Sequence, residues 1–480
     1  LTEKTTRWPM IHARSRAMTL FLPLPLRAYR RLTIAAVLAG LTLLAPVMAA
    51  GQTLDAAMVL AYENNPELLA ARAALRAVDE SLPQALAGWR PTVTLSGSAG
   101  KERIDTTTST TGGVSNRTPV SATLSVSQPL FRGFRTQATT RLSKNEIQRQ
   151  RAVLVATEQT VLADTVTAYM DVLRDQAILE LRRNNEQVLE RQLEATQDRF
   201  RVGELTRTDV AQGESRLALA ASERITAEAT LHSSRAVFER VVGVPPGTLV
   251  DPDLPTSLPE SLDAALAGAQ VHSPAVVQAQ FAAQAAADDV ASIEGELLPA
   301  VSLTGSLSSQ EDSLGANSER ESASIAAELS VPLYQAGAVY SRVREAKQRA
   351  SQRRIEVENA RRNAAELATV TWQELQSATG SIASQAARVQ ASDLALEGVR
   401  QESLVGARTV LDVLDAEQEL LDARVSLVGA QRDQIVAAYR LLAAAGVLTA
   451  ADLALAVEIY DMDEHYRSVR GRFFGTGIDP

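Results

Sequence analysis

The chain repeats itself, and this duplication constrains its fold more than any other feature of the sequence. A shift of about 208 residues places residues 261–265 (SLDAA) on residues 53–57 (TLDAA). Further along, a shift of about 203 residues aligns residues 332–334 (PLY) with residues 129–131 (PLF). Because the register holds over so long a stretch, we expect two copies of one structural unit, divided near residues 245–259.

Each copy changes its hydrophobic period in the same order. A helical segment comes first, and Asn65 with Pro66 supplies an N-cap and a first-turn proline, as Ser273 with Pro274 does in the second copy. Strict alternation of apolar and small polar residues follows, which predicts a strand pair in each copy, with strands of about ten residues. These pairs cover residues 92–128 and 300–331, and their Ser-, Thr- and Gly-rich connections, 106–118 and 308–322, are expected to be exposed loops.

Long helices are predicted after each strand pair, over residues 135–243 and 338–446, because proline is absent from both stretches. Each is interrupted only by a glycine-centred turn, at Gly203 and at Gly406. Residues 137–201 alone form a helix on the order of 100 Å long. Apolar residues spaced at sevens predict a coiled coil along it: Ile147, Leu154, Val161 and Ala168.

Residues 1–50 have the three-part order of a secretory signal peptide: basic residues, a short apolar run and small residues before a cleavage site. The alternative is a retained amino-terminal anchor, but the apolar run is short for a membrane-spanning helix. The chain is therefore expected to leave the cytoplasm. Its net charge is −9, and removing a leader that carries +6 leaves about −15, which argues against nucleic acid as a partner.

The composition also limits the chemistry. The chain has no cysteine and only four histidines, which are scattered singly, so neither a metal site nor another cofactor is expected. A hydrolase or other enzyme is the first alternative, but the sequence has no phosphate-binding loop, nucleophile elbow or clustered catalytic side chains. A periplasmic or surface coiled-coil structural protein is the second alternative. It would not require two strand pairs that each have a water-compatible face.

Four strands with one apolar and one Ser/Thr face suit a tilted crossing of an outer membrane. A four-stranded sheet cannot close on itself, and an open edge in lipid leaves backbone groups unsatisfied, so several chains must share one barrel. Two chains would supply eight strands and three would supply twelve, and only the larger barrel leaves a useful passage. A soluble antiparallel sheet packed on a helical bundle is the alternative.

Aromatic side chains gather at the helix-proximal ends of the strands. Such rings favour the boundary between membrane and water, although they also serve as filler where a sheet meets helices. The residues of this predicted belt are Trp89, Phe131, Phe134, Tyr334 and Tyr340.

Over essentially the whole mature chain, the sequence resembles the TolC family of outer-membrane exit ducts. The resemblance lies in the order and duplication of short motifs: NNPEL (64–68), SQPLFRG (127–133), RFRVGE (199–204), TDV (208–210), VPLYQAG (331–337) and GARTVLDVLDA (406–416). It implies a mixed α/β membrane protein, a homotrimer in which four strands per chain form a twelve-stranded barrel continued by an antiparallel α-helical coiled-coil tunnel. It also implies a cell outer-membrane location, contact with outer-membrane lipid, and docking to an inner-membrane ABC or RND-type pump through a periplasmic adaptor (membrane fusion protein).

On this interpretation, residues 51–247 and 261–448 are the two repeats and 248–260 link them. Residues 449–480 form a carboxyl-terminal tail on the periplasmic equatorial region. Tyr460-Asp461, His465-Tyr466 and Val469 in that tail are similar to the ending of the branch that serves type I protein secretion. The predicted function is therefore a passive exit duct, serving protein secretion or, as the alternative, multidrug efflux.

The turns at Gly203 and Gly406 are each followed by a Thr-x-x-Asp capping pair, with Asp209 and Asp412 as the acidic members. Asp415 lies one turn beyond Asp412 and has no capping role, so it is the better candidate for a carboxylate that faces the lumen. The resemblance implies that Asp412 and Asp415 form acidic rings at the periplasmic entrance.

The same resemblance implies that Arg408 is a gate arginine and that Thr208 and Asp209 are its partners. In the family a gate tyrosine occupies the position of Ser403 here, so an aromatic latch is missing from this chain.

Overall fold

The computed structural model describes residues 52–106, 113–313 and 317–478, so the predicted signal peptide, residues 1–50, lies outside the described residues. The first repeat begins with three short helices, continues through four strands and ends in two long helices. Its elements are α1 (Leu54–Asn64), α2 (Pro66–Asp79), α3 (Ser81–Leu86), β1 (Thr92–Ala99), β2 (Glu102–Thr106), β3 (Gly113–Arg117), β4 (Val120–Arg132), α4 (Arg135–Arg201) and α5 (Arg207–Val242).

The second repeat follows a similar plan, with two helices before the strands and two strands instead of four. Its long helices have the same lengths as those of the first repeat, 67 and 36 residues, which is the structural counterpart of the sequence duplication. Its elements, with a short helix in the tail after them, are α6 (Leu262–His272), α7 (Pro274–Glu294), β5 (Ala300–Glu311), β6 (Glu319–Ser330), α8 (Ala338–Leu404), α9 (Val410–Ala445) and α10 (Glu464–Val469).

Local sequence sets the breaks between the first helices. The Asn65 side chain accepts a hydrogen bond from the Glu67 amide at 2.9 Å, and Pro66 begins α2, as the pattern predicts. Ser273 precedes α7 at the equivalent place, but its side chain makes no capping hydrogen bond, so only Pro274 matches the predicted signal there.

The four main strands form one antiparallel sheet in the order β1-β4-β5-β6, so the β4–β5 pairing joins the two repeats. Alternate residues share a face: Leu95 pairs with Leu124, Leu124 with Leu307, and Leu307 with Ala323. The opposite face carries Ser and Thr, and its hydroxyls hydrogen-bond across strands, as between Ser306 and Ser324 at 2.8 Å.

The loops predicted within the strand pairs are shorter than expected. The flanks of 106–118 form the antiparallel pair β2–β3, and β5 with β6 extends into the segment 308–322. Ser308 and Ser322 hydrogen-bond to each other at 2.8 Å within the ladder. The prediction of a loop was wrong here because small polar residues fit the hydroxyl-lined face of the sheet as well as they fit a loop.

The long helices pack as antiparallel pairs, α4 with α5 and α8 with α9. The predicted seam on α4 is buried along its length at Ile147, Leu154, Val161 and Ala168. The largest core cluster lies where α1, α2, α4, α5, α9 and the tail meet, and it includes Met58, Tyr169 and Phe238. None of the helices in the described parts of the chain is long and apolar enough to cross a membrane.

Candidate functional site

The two turns that join the long helices have nearly the same geometry. Gly203 and Gly406 adopt positive φ angles, 83° and 79°, which residues with a Cβ rarely adopt. In the first turn the Gly203 amide donates to the Phe200 carbonyl at 3.0 Å, and in the second the Gly406 amide donates to the Ser403 carbonyl at 3.1 Å. Each glycine therefore ends one helix and lets the chain reverse into the next.

Capping boxes start both return helices, as the Thr-x-x-Asp spacing predicts. At α9 the Thr409 amide donates to Oδ2 of Asp412 at 2.8 Å, and the Asp412 amide donates to Oγ1 of Thr409 at 3.2 Å. Thr206 and Asp209 make the equivalent bonds at α5. The hydrogen bond from the threonine amide holds the pKa of each aspartate below its usual value, so both side chains are anionic at neutral pH.

Asp415 has a partner that sequence reasoning did not identify. Its carboxylate forms an ion pair with Arg216, which lies on α5, so the pair connects the hairpins of the two repeats close to their tips. Beside it, Val410 and Leu414 pack against Leu189 in a small buried cluster. The tips of the two hairpins are thus held together by apolar packing and by one charged link.

Arg408 lies in the second turn, where its Nε donates to Oε2 of Glu402 at 2.8 Å. This bond spans the glycine of the turn, and it raises the pKa of the guanidinium. In the single chain Arg408 therefore pairs with Glu402. Thr208 is the second residue of α5, and its side chain is exposed. Contact of Arg408 with Thr208 or Asp209 in the assembled protein stays a prediction.

Apolar side chains are exposed at the same tips. Val202 precedes the first glycine and Val405 precedes the second, at equivalent positions in the two repeats. Val405 is 81% exposed, and the neighbouring Leu404 is nearly as open. Surface valine and leucine of this kind at the end of a long rod suit contact with a partner protein.

At the opposite end, the aromatic residues predicted as a belt lie at the junctions between sheet and helices. Phe131 is the last residue but one of β4 and meets Phe134 edge to face, with ring centroids 5.1 Å apart. Phe134, Trp89, Tyr334 and Tyr340 are exposed. Beyond these junctions, the apolar face of the sheet itself is also exposed, and the Leu95 side chain on it is 75% exposed. The described residues contain no group of His, Cys, Asp and Glu side chains able to hold a metal ion.

The outer membrane efflux protein family matches two stretches of the chain, residues 57–244 and 265–447, which correspond to the two repeats. Outer membrane efflux protein BepC of Brucella suis is 34% identical over 94% of this chain and 97% of its own length. Alkaline protease secretion protein AprF of Pseudomonas aeruginosa is 28% identical over 82% of this chain and 85% of its own.

Among solved structures, the outer membrane protein VceC of Vibrio cholerae has the same fold, with a TM-score of 0.71 over 82% of this chain and 96% of that one at 21% identity. The predicted resemblance to TolC-type ducts, the mixed α/β fold and the outer-membrane location are confirmed by these comparisons. The relatives are channel proteins and not enzymes. The chain belongs to the outer membrane efflux protein family.

Proposed function

We propose that this chain is one third of a trimeric exit duct, and that a twelve-stranded barrel forms when three sheets join edge to edge. The observation that carries the proposal is the sheet itself. Within the described residues β1 and β6 each pair on one side only, and the apolar face between them is open. Lipid can cover that face, but only a strand of another chain can satisfy the two edges.

The Ser/Thr face then lines a water-filled passage, which the helical rods continue into the periplasm. A helix of 67 residues is about 100 Å long, so α4 and α8 reach far from the membrane. The duct has no need of an energy source of its own, since the pump in the inner membrane drives the substrate. Arg408, Thr208 and Asp209 would serve as gate contacts at the far end, where Asp412 and Asp415 would form the acidic rings.

The partners proposed are a periplasmic adaptor and an inner-membrane pump. The exposed Val202, Leu404 and Val405 support docking at the tips, because apolar residues in a water-exposed turn gain from being covered. We propose type I protein secretion as the process served, because AprF is named for protease secretion and the tail resembles that branch. Multidrug efflux is the second candidate, favoured by the similarity to BepC, an outer membrane efflux protein.

The test is site-specific crosslinking in cells, for which the cysteine-free sequence is well suited. A Val405→Cys variant would carry a photocrosslinker at the tip, and a Ser233→Cys variant would carry the same reagent at an exposed position of α5 far from the tip. Capture of an adaptor together with an ABC-type pump, only from the tip position, supports type I secretion. Capture with an RND-type pump would assign the duct to drug efflux instead.

A second measurement tests the duct itself. Purified protein reconstituted into planar bilayers is expected to give discrete single-channel currents. Failure of the purified trimer to insert into bilayers would favour the structural coiled-coil alternative. Absence of any current from trimers shown to be inserted would contradict a conducting duct.

A further inference from the structure

The end of the chain is held firmly up to the last turn of α10. Val469 is fully buried, and His465 Nδ1 lies 3.3 Å from Oδ2 of Asp79 at the end of α2. Arg151 on α4 donates to the Asp463 carboxylate at 2.5 Å just before α10. These contacts fix where the following segment, residues 470–478, starts.

The segment then runs to the end of the bundle where the strands begin. Arg90 Nη1 donates to the Arg472 carbonyl at 2.9 Å, and the Arg90 guanidinium lies 4.0 Å from the centre of the Phe473 ring. Arg90 is two residues before the first residue of β1. The neighbouring Trp89 carbonyl accepts a hydrogen bond from Gln128 of β4 at 2.9 Å. The segment therefore reaches the level of the aromatic belt.

At this level the segment exposes its largest apolar side chains to solvent. Phe474 is 91% exposed and Ile478 is 90% exposed, and Phe473 is covered on one face only, by Arg90. Arg470, also exposed, comes four residues before Phe474. Aromatic and aliphatic side chains beside arginine form the pattern by which peripheral segments bind the interface of an anionic membrane. Gly471, Gly475 and Gly477 give the segment the freedom to adapt to such a surface.

We propose that residues 470–478 form an interfacial anchor that binds phospholipid in the periplasmic leaflet of the outer membrane. Phe474 and Ile478 insert among the acyl chains, and Arg470 contacts the phosphate groups, where a guanidinium binds two oxygens at once. This inference rests on the proposed placement of the sheet in the membrane. It gives each chain a second attachment to the bilayer, which is connected through α10 to the helical bundle.

Lipid is the occupant that the charges favour. A neighbouring copy of the chain is the other source of cover, and it would protect the same side chains from water without placing them near lipid. The two arrangements differ in a measurable way, since only the first brings Phe474 within contact distance of acyl chains.

The experiment uses full-length trimers with single cysteines, each labelled with bimane, in vesicles of phosphatidylethanolamine and phosphatidylglycerol. The sites are Phe474→Cys for the anchor, Leu95→Cys for the apolar face of the sheet, and Ser215→Cys on α5, far from the sheet. Phosphatidylglycerol with a doxyl group on its acyl chain serves as the quencher. We expect quenching at positions 474 and 95 and none at position 215.

Absence of quenching at Leu95→Cys would show that the sheet is not in lipid, which is a failure of the proposed function. Quenching at Leu95→Cys together with a Phe474→Cys signal no greater than that of Ser215→Cys would overturn the anchor alone. If the label at position 474 is shielded from aqueous iodide but is not quenched by lipid, a neighbouring chain covers the segment and the proposal is also overturned.

A charge variant tests the role of the arginine. Arg470→Glu is expected to reduce quenching at position 474 by about twofold or more in the anionic vesicles, because one basic residue contributes measurably to binding at a charged surface. Quenching at position 95 in the same variant should be unchanged, which shows that the protein is folded and inserted. An unchanged signal at position 474 would overturn the proposed contact with phosphate.

Discussion

The link between Arg216 and Asp415 yields the sharpest prediction about gating. The pair connects α5 of the first repeat to α9 of the second, so the two hairpins cannot separate at their tips without breaking it. We expect Arg216→Gln and Asp415→Asn each to raise the resting single-channel conductance. Arg216→Gln removes a positive charge and Asp415→Asn removes a negative one. If pore charge alone controlled the flow of cations, the two variants would change conductance in opposite directions.

The magnitude follows from the exposure of the pair. Its side chains are 31% and 55% exposed, so water screens the attraction, and one such pair contributes about 0.2–1 kcal/mol. In a trimer whose tips open together, three pairs contribute about 0.6–3 kcal/mol to the closed state, because independent contributions add. Loss of all three would increase the ratio of open to closed channels by about 3-fold to 150-fold, since 1.4 kcal/mol corresponds to a factor of ten. The time-averaged conductance of a resting channel would rise accordingly.

The assay is single-channel recording in planar bilayers at fixed salt. The matched control is Arg224→Gln, because Arg224 pairs with Glu186 across α4 and α5 of one repeat and so does not connect the two hairpins. Combining Arg216→Asp with Asp415→Arg should restore the resting conductance by reversing the pair. Wild-type conductance in both single variants, or no recovery in the reversed pair, would refute the idea that this link holds the tips together.

Three further predictions concern the same chain. Arg408→Ser should raise conductance in planar bilayers, and unchanged conductance would count against a latch. If Arg408 acts through its hydrogen bond to Glu402 inside the turn, Glu402→Gln should raise conductance as well. Asp415→Ala should weaken block by multivalent cations, measured as residual current against added hexamminecobalt, and full retention of block would remove this carboxylate from the acidic ring. Tyr169→Phe should cost about 1–3 kcal/mol of unfolding free energy, because the buried hydroxyl lies within hydrogen-bonding distance of the Gln52 and Val250 carbonyls and accepts a hydrogen bond from the Val250 amide. An unchanged guanidinium midpoint at fixed protein concentration would contradict this.

Features that repeat locally were predictable from the sequence. The period-two alternation located the strands, the absence of proline located the long helices, and the Thr-x-x-Asp spacing identified the capping boxes at Thr206 and Thr409. Each depends on residues within a few positions of one another, so the physical cause can be read along the chain. The burial of Leu154 and its heptad neighbours on α4 follows from the same logic.

Contacts between distant segments were not predictable in this way. Arg216 and Asp415 are 199 positions apart, and their meeting depends on the relative register of two hairpins. The pair β2–β3 was missed because each strand has only one large apolar residue, Ile104 or Val114, so no period-two alternation marks it. The contact of Arg90 with the tail depends on where residues 470–478 leave α10, and no sequence period signals that.

The two open edges of the sheet also have a genetic consequence. If three chains each supply strands to one barrel, a single chain with a defective edge strand prevents the barrel from closing. A cell that makes equal amounts of the normal chain and of a Leu95→Pro variant would retain only about one intact trimer in eight by random mixing. Such a variant should therefore be dominant over the normal allele, although a simple loss of expression would be recessive.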